Sequence, residues 1–252
     1  MSKLKTYLIS GAGNTFHIVW NKAASQPATT SKQICKEQPA DGFIFLNKNQ
    51  QNEYTWDFYN NDGSAAEMCG NATRCVGFFV KNILNDASAE IYLQTLAGRI
   101  QIIPQNQNQF QVQMTEIQEF QHPVYFYCDT GVPHIVIERV DFDQYKDLKK
   151  FCSELRFHKD FLPRGTNVTL IKKTITPDLI EAVSYERGVE DFTLACGTGA
   201  MAAAFYNFKK YAVPVTHVKM PGGLLTMNLT NLQQPIMVGP AELIGEFEYE
   251  NY

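Results

Sequence analysis

Most of the chain consists of short runs in which apolar and polar residues alternate, the period of half-buried β-strands. Far fewer stretches place apolar residues three or four positions apart, as an α-helix does. The predicted strands lie within 4–9, 15–20, 40–46, 54–59, 90–95, 99–103, 110–114, 124–127, 134–138, 164–171, 236–238 and 241–249. Helices are predicted within 31–38, which Ser31 would cap, and within 142–155. Two more are predicted to follow Cys69 and Cys196: apolar residues keep helical spacing over 76–84, which indicates a helix buried on one side, and over 201–210. The pattern predicts an α/β protein of the α+β type.

One segment occurs twice in degenerate form. MCGNATRCVGFF at 68–79 aligns with ACGTGAMAAAFY at 195–206, so that Cys69 matches Cys196 and Gly70 matches Gly197. Such a repeat predicts two pseudo-symmetric lobes. We expect the N-terminal lobe to cover 1–116 and to be completed by the last strand at 239–252, and the second lobe to cover 117–238. The two cysteines would then face each other across a cleft.

Both cysteines stand immediately before a glycine and a predicted helix. A thiolate at a helix N-terminus faces unpaired backbone N–H groups and the positive end of the helix dipole, which lower thiol pKa and bind anions. This context predicts reactive thiols at Cys69 and Cys196. The remaining cysteines lack it and are expected to be small buried apolar side chains: Cys35, Cys75, Cys128 and Cys152.

Composition narrows the classes of partner. The 252 residues are 44% hydrophobic and 19% charged with a net charge of −4, which favours neither nucleic acid nor an anionic membrane. No apolar run is long enough for a signal peptide or a membrane span, so a cytoplasmic location with reduced thiols is expected. Neither a C-x-x-C spacing nor a His-Cys cluster is present, so no metal is expected.

Six motifs in order resemble the diaminopimelate epimerase family. They are GAGNTF at 11–16, NNDGSAAEMCGNATRC at 60–75, GVPH at 131–134, GTNV at 165–168, YERG at 185–188 and ACGTGA at 195–200. The resemblance implies two lobes, each a mostly antiparallel sheet wrapped around a central helix. It also implies an isomerase that converts LL-2,6-diaminopimelate to the meso form without a cofactor, in lysine and peptidoglycan biosynthesis, and that is a homodimer.

The resemblance also implies roles for particular residues. Cys69 and Cys196 would be the two acid–base groups, and His134 and Glu186 would assist their proton exchange. The substrate, the small-molecule amino acid diaminopimelate, would be held by side chains and by backbone N–H groups at the two helix N-termini. These contacts would come from Asn14, Asn60, Gly70, Asn71, Asn167, Glu186, Arg187, Gly197 and Thr198. Arg187 would grip the distal carboxylate.

The residues alone support the same chemistry. Inversion of an α-carbon requires proton removal from one face and proton return to the other, which a thiolate and a thiol on opposite sides can perform. The backbone N–H groups near Gly70 and Gly197 would hold the carboxylate where negative charge develops.

Some positions depart from the family pattern and leave the substrate's distal end open. Thr15 stands where the family commonly has aspartate, Ala72 where it has glycine, and Val132 where some members have asparagine. The spacing from Arg187 to Cys196 is about one residue longer than usual. A racemase of glutamate, histidine or proline type is therefore an alternative. A thiol redox protein that cycles a Cys69–Cys196 disulfide is a third interpretation.

Overall fold

The computed structural model describes residues 3–21 and 25–250. The first strands are β1 Lys3–Gly11, β2 Asn14–Trp20, β3 Gly42–Lys48, β4 Tyr54–Asn60, β5 Ile91–Thr95, β6 Gly98–Pro104, β7 Gln109–Gln113 and β8 Gln118–Phe120. The later ones are β9 Phe126–Asp129, β10 Pro133–Glu138, β11 Asn167–Lys173, β12 Leu179–Glu186, β13 Asp191–Phe192, β14 Val215–Met220, β15 Gly223–Asn228, β16 Ile236–Pro240 and β17 Glu242–Glu250. The α-helices are α1 Pro27–Glu37, α2 Gly70–Phe78, α3 Lys149–Arg156 and α4 Gly197–Tyr211.

The chain forms two compact units, of which the first runs to Val112 and resumes at Gly239. Strands β17, β1 and β2 pair antiparallel in that order, β2 continues parallel to β3, and β3 pairs antiparallel with β4. A parallel step joins β4 to β5, which continues antiparallel through β6 to β7. Helix α2 packs on β1, β2 and β6. The sheet is therefore mixed but mostly antiparallel, with one helix against it.

The second unit, Gln113–Val238, repeats this plan. Strands β8, β9 and β10 pair antiparallel, β10 lies parallel to β11, and β11 pairs antiparallel with β12. A second parallel step joins β12 to β14, which pairs antiparallel with β15 and so with β16. Helix α4 packs on β10, β11, β12, β14 and β15. The predicted fold class, with a mostly antiparallel sheet around a central helix in each lobe, is confirmed.

The central helices are more deeply enclosed than the sequence pattern suggested. Apolar spacing predicted that the helix after Cys69 would be buried on one side, but all nine residues of α2 are buried. Three of these buried residues are polar, and each makes a side-chain hydrogen bond: Asn71, Thr73 and Arg74. The spacing of apolar residues therefore underestimates the burial of a helix whose polar side chains are also buried and hydrogen-bonded.

Two local predictions were wrong, and one hairpin was not predicted. Ser31 does not cap α1: the helix begins at Pro27, whose fixed φ suits the first turn, and the Ser31 hydroxyl donates to the Pro27 carbonyl oxygen at 2.7 Å. The stretch 142–155 is not one helix, since Phe142–Leu148 is 3₁₀ and α3 begins only at Lys149. The β14–β15 hairpin was not predicted.

Candidate active site

Cys69 and Cys196 occupy equivalent positions in the two units. Each is the N-cap residue of its helix, with extended backbone at φ −146° for Cys69 and φ −127° for Cys196. Gly70 and Gly197 are the first residues of α2 and α4, so the N–H groups that follow each cysteine lie in the first helical turn, where they lack helical partners. Each helix thus begins with a thiol beside backbone N–H groups of its first turn.

In the first unit, Cys69 lies beside two asparagines. Its Sγ is 3.9 Å from Oδ1 of Asn14, and the same oxygen accepts a hydrogen bond from Nδ2 of Asn71 at 3.2 Å. Asn14 begins β2 and Asn71 is on α2, so a strand end and a helix start bring these groups together. Of the expected residues of this unit, Cys69, Gly70, Asn71 and Asn14 form one cluster.

Asn60 is the last residue of β4, directly before a turn. Its Nδ2 donates to Ser64 Oγ at 3.0 Å, its side chain is exposed, and its backbone N–H bonds to the Ser64 carbonyl oxygen. The structure describes no hydrogen bond from Asn60 to the Cys69 cluster. Its expected role as a substrate contact therefore depends on exposure rather than on an existing contact.

In the second unit, Cys196 is almost completely buried, with 4% exposure. Its Sγ accepts the Gly199 N–H at 3.3 Å and lies 3.4 Å from Oγ1 of Thr198. These two contacts lower the thiol pKa, as the sequence predicted for a helix N-terminus, but their effect is smaller than that of two opposing causes. Burial first, and then the charge of Glu186, raise the pKa of Cys196 well above its usual value. The sequence-based expectation of a lowered pKa is corrected here, and Cys196 is a thiol at neutral pH.

His134 does not touch Cys196 directly but reaches it through Thr198. Its Nε2 is 3.0 Å from Thr198 Oγ1, and its Nδ1 is 2.9 Å from Thr169 Oγ1. Burial, together with the charge of Arg187, lowers the pKa of His134 to about 3. The imidazole is therefore neutral at physiological pH.

The tautomer of His134 follows from its neighbours. The backbone N–H of Arg187 can only donate, and it bonds to Asn167 Oδ1 at 2.7 Å, so Nδ2 of Asn167 must face His134 Nε2 at 3.3 Å. That nitrogen is consequently the acceptor, and Nδ1 carries the proton that it donates to Thr169. Thr169 in turn contacts Ser184 Oγ at 3.0 Å.

Glu186 is the last residue of β12, and Arg187 follows it. Glu186 accepts a hydrogen bond from Thr193 Oγ1, and its carboxylate interacts with the Cys196 thiol. The Arg187 guanidinium is partly exposed and donates from Nη1 to the Arg164 carbonyl oxygen at 3.4 Å. The structure thus brings six of the expected residues of this unit into one bonded cluster with Cys196: His134, Asn167, Glu186, Arg187, Gly197 and Thr198.

The sequence-based reasoning missed side chains that support these clusters. Thr169 lies two residues after Asn167 on β11 and so on the same face of the strand, and Ser184 is its cross-strand partner on β12. Arg74 lies three residues after Asn71 on α2. Strand alternation and helix spacing from the expected residues are the signals that would have found them.

Within the described residues, no three His, Cys, Asp or Glu side chains are grouped so as to hold a metal ion. All six cysteines belong to that part of the chain, and none forms a disulfide bond. No helix there is both long and apolar enough to cross a membrane.

Comparison with solved structures defines the fold. The crystal structure of a phenazine biosynthesis protein of the PhzF family from Enterococcus faecalis matches with a TM-score of 0.78 at 15% identity, and covers 99% of this chain and 100% of that chain. A hydroxyproline epimerase from Agrobacterium vitis, solved with bound trans-4-hydroxy-L-proline, matches with a TM-score of 0.69 at 12% identity, over 99% of this chain and 91% of that one. The protein therefore has the α/β fold that these proteins share.

Sequence comparison identifies the family within that fold. The family model described as diaminopimelate epimerase matches residues 6–119 and 126–244. A diaminopimelate epimerase of Hydrogenobaculum sp. (strain Y04AAS1) is 36% identical over 274 aligned positions, which cover 95% of this chain and 97% of that protein. The chain belongs to the diaminopimelate epimerase family and is an isomerase, which confirms the resemblance seen in its motifs.

Proposed function

We propose that this protein converts LL-2,6-diaminopimelate to meso-diaminopimelate, with Cys69 and Cys196 as the two acid–base groups and without pyridoxal phosphate. The observation that carries the proposal is that, in a chain of this family, both cysteines cap central helices at equivalent positions. A single thiol would suffice for a nucleophile, whereas inversion of an α-carbon needs a group on each face.

The energetics assign separate tasks to the thiols and to the backbone. If about 10 pKa units separate a thiol from the α-hydrogen of an amino acid, proton transfer alone costs roughly 14 kcal/mol. Cys69 and Cys196 transfer the protons, and N–H groups of the first turns of α2 and α4 stabilise the enediolate-like carbanion. The N–H groups proposed for this are those of Gly70, Asn71, Gly197 and Thr198, which begin the two helices.

Cys196 begins the cycle as the proton donor in this account. Its raised pKa supports that role, since the thiol form is the one present at neutral pH. When it gives up its proton, the Gly199 N–H and the Thr198 hydroxyl are already within reach of the thiolate. His134 and Glu186 assist the proton exchange of Cys196, and His134 does so as the acceptor that holds the Thr198 hydroxyl close to the sulfur.

Polar side chains around the two cysteines are proposed to hold the remainder of the substrate. Asn14, Asn60, Asn71, Asn167 and Glu186 supply amide and carboxylate contacts, and Arg187 supplies a guanidinium suited to a second carboxylate. The partly exposed position of Arg187 supports this role. A place in lysine and peptidoglycan biosynthesis, a cytoplasmic location and a homodimer are predictions that accompany the proposed activity.

An activity screen tests the proposal most simply. Reduced protein without added pyridoxal phosphate is incubated with LL-diaminopimelate and with a panel that includes glutamate, histidine and proline, and chiral chromatography follows the stereoisomers. We expect turnover of LL-diaminopimelate alone, abolished by Cys69→Ala and by Cys196→Ala, with at most residual activity in the two Ser variants. Turnover of another panel member instead would identify a racemase of different specificity, and activity that survives both Ala variants would refute the two-thiol mechanism.

A further inference from the structure

Arg74 is a charged residue in the interior of the first unit. It lies on α2, its side chain has 0% exposure, and by volume it heads the fully buried side chains of the described residues. Burial lowers its pKa to about 10, so it remains a cation at neutral pH, and the charges of Cys75 and Cys69 act in the opposite direction. A buried cation is costly unless well bonded, so its position calls for a reason.

The guanidinium binds groups at the start of the helix that Cys69 caps. Its Nη2 donates to Asn71 Oδ1 at 3.0 Å, its Nη1 to the Gly70 carbonyl oxygen at 3.5 Å and its Nε to the Pro240 carbonyl oxygen at 3.2 Å. Arg74 therefore touches both residues that directly follow Cys69.

These bonds fix the direction of a chain of amides. A guanidinium can only donate, so Asn71 must present its oxygen to Arg74 and its Nδ2 to Asn14. Asn14 must then present its oxygen, and this is the atom 3.9 Å from Cys69 Sγ. Without Arg74, both amides could turn over and Asn14 could offer Nδ2 instead.

We propose that Arg74 is a positioning residue for the reaction at Cys69: it orients Asn71 and Asn14 around the thiol and provides a buried positive charge five residues further along the chain, on α2. The inference deepens the proposed function and rests on it for its role in turnover. A thiol at Cys69 has an acceptor in Asn14 Oδ1, and a thiolate has the Arg74 cation. Both forms are needed, because each cysteine is an acid in one direction and a base in the other.

The test compares Arg74→Met, which keeps length but removes charge and donors, with Arg74→Lys, which keeps the charge and a donor. The rate of iodoacetamide alkylation at Cys69 is measured at one fixed pH by peptide mass spectrometry, and kcat for LL-diaminopimelate alongside it. Because the thiolate is the species that reacts, we expect Arg74→Met to lower both by about tenfold or more. Arg74→Lys should stay within about threefold of the wild type.

Cys75 supplies an internal control, since it lies next to Arg74 on α2 and is fully buried. It should stay protected from alkylation in both variants. If Cys75 becomes reactive in Arg74→Met and the thiol at Cys69 reacts faster, Arg74 only holds the helix in place, and the inference is overturned. An unchanged Cys69 rate with unchanged kcat overturns it as well.

Asn71→Asp provides a second variant that leaves Arg74 in place. Aspartate still accepts from Arg74, but its negative charge offsets that of the guanidinium, so we expect the Cys69 thiolate to be less populated and its alkylation to fall about tenfold or more, with Cys75 still protected. An unchanged rate in this variant also counts against the inference. If wild-type protein isomerises no amino acid but the alkylation rates change as expected, the positioning role stands and the proposed function fails.

Discussion

At the residue scale, the Thr198 hydroxyl has two competing partners. It lies 3.4 Å from Cys196 Sγ and 3.0 Å from His134 Nε2, and that nitrogen has no proton of its own to donate. With Cys196 as a thiol, Thr198 donates to His134; with Cys196 as a thiolate, the hydroxyl can turn to the sulfur. One rotatable O–H bond thus serves both states.

Removal of this hydroxyl should slow turnover more than it weakens substrate binding. In Thr198→Val we expect kcat to fall about tenfold to a hundredfold, the range for loss of a hydrogen bond to a charged group, with KM changed much less. Thr198→Ser keeps the hydroxyl and should recover most of the rate. Equal kcat in Thr198→Val and the wild type, from steady-state kinetics, would show that the hydroxyl takes no part.

His134 makes folding stability depend on pH. Its pKa is about 3 in the folded protein and near 6.5 when unfolded, so the unfolded chain binds the proton more readily between these values. Its contribution to stability is complete above pH 6.5 and is lost as pH falls towards 3. The buried His17, whose pKa is also lowered by burial, acts in the same direction.

Urea unfolding at pH 7 and pH 5 measures this effect. We expect the wild type to lose on the order of 2 kcal/mol more of its unfolding free energy over that interval than His134→Gln loses, because the variant lacks one of the two buried histidines. The same pH dependence in both proteins would contradict a neutral buried His134.

At the element scale, the close packing of α4 on its sheet sets the position of the helix turn that bonds to Cys196. A Cβ on Gly199 would come within 2.0 Å of Ser184 Oγ and 3.2 Å of Thr169 Oγ1. Only a glycine lets the first turn of α4 approach β11 and β12 this closely, and its N–H is the one that bonds to the Cys196 sulfur.

Gly199→Ala should therefore displace the first turn of α4. We expect a loss of about 2 kcal/mol in unfolding free energy, typical of an overpacked core, together with loss of activity. Adding Ser184→Ala removes the nearest atom and should restore part of the stability. The loss should be read from denaturant midpoints; an unaltered midpoint in Gly199→Ala would show that the helix does not need this approach.

Sequence patterns predicted most elements because strand alternation, and the motif around each of Cys69 and Cys196, can be recognised from neighbouring residues. The supporting side chains are different. Arg74 reaches the Pro240 carbonyl oxygen, and Thr169 reaches His134, only because the fold brings these residues together. The raised pKa of Cys196 comes from burial and from Glu186, ten positions away in sequence. A helix N-terminus can be recognised in a sequence. The desolvation of Cys196, which has the larger effect on the thiol pKa, depends on the folded structure.

At the scale of the whole molecule, the two units share one plan but treat their cysteines differently. Cys196 accepts the Gly199 N–H and has Glu186 beside it, whereas the Cys69 side chain accepts no N-cap hydrogen bond and faces the Asn14 oxygen. A repeated fold thus supplies two similar helix starts with unequal surroundings. Unequal surroundings suit two groups that must hold opposite protonation states at the start of a reaction.

The central claim is that two thiols act on opposite faces of one carbon. Early in the reaction of LL-diaminopimelate in deuterated water, mass spectrometry and NMR of separated stereoisomers measure where solvent deuterium enters. We predict meso-diaminopimelate with one deuterium at the inverted carbon and recovered LL-substrate with almost none, since the proton removed by one cysteine is not the one returned by the other. Product that retains protium, or equal deuterium in product and recovered substrate, would contradict the account.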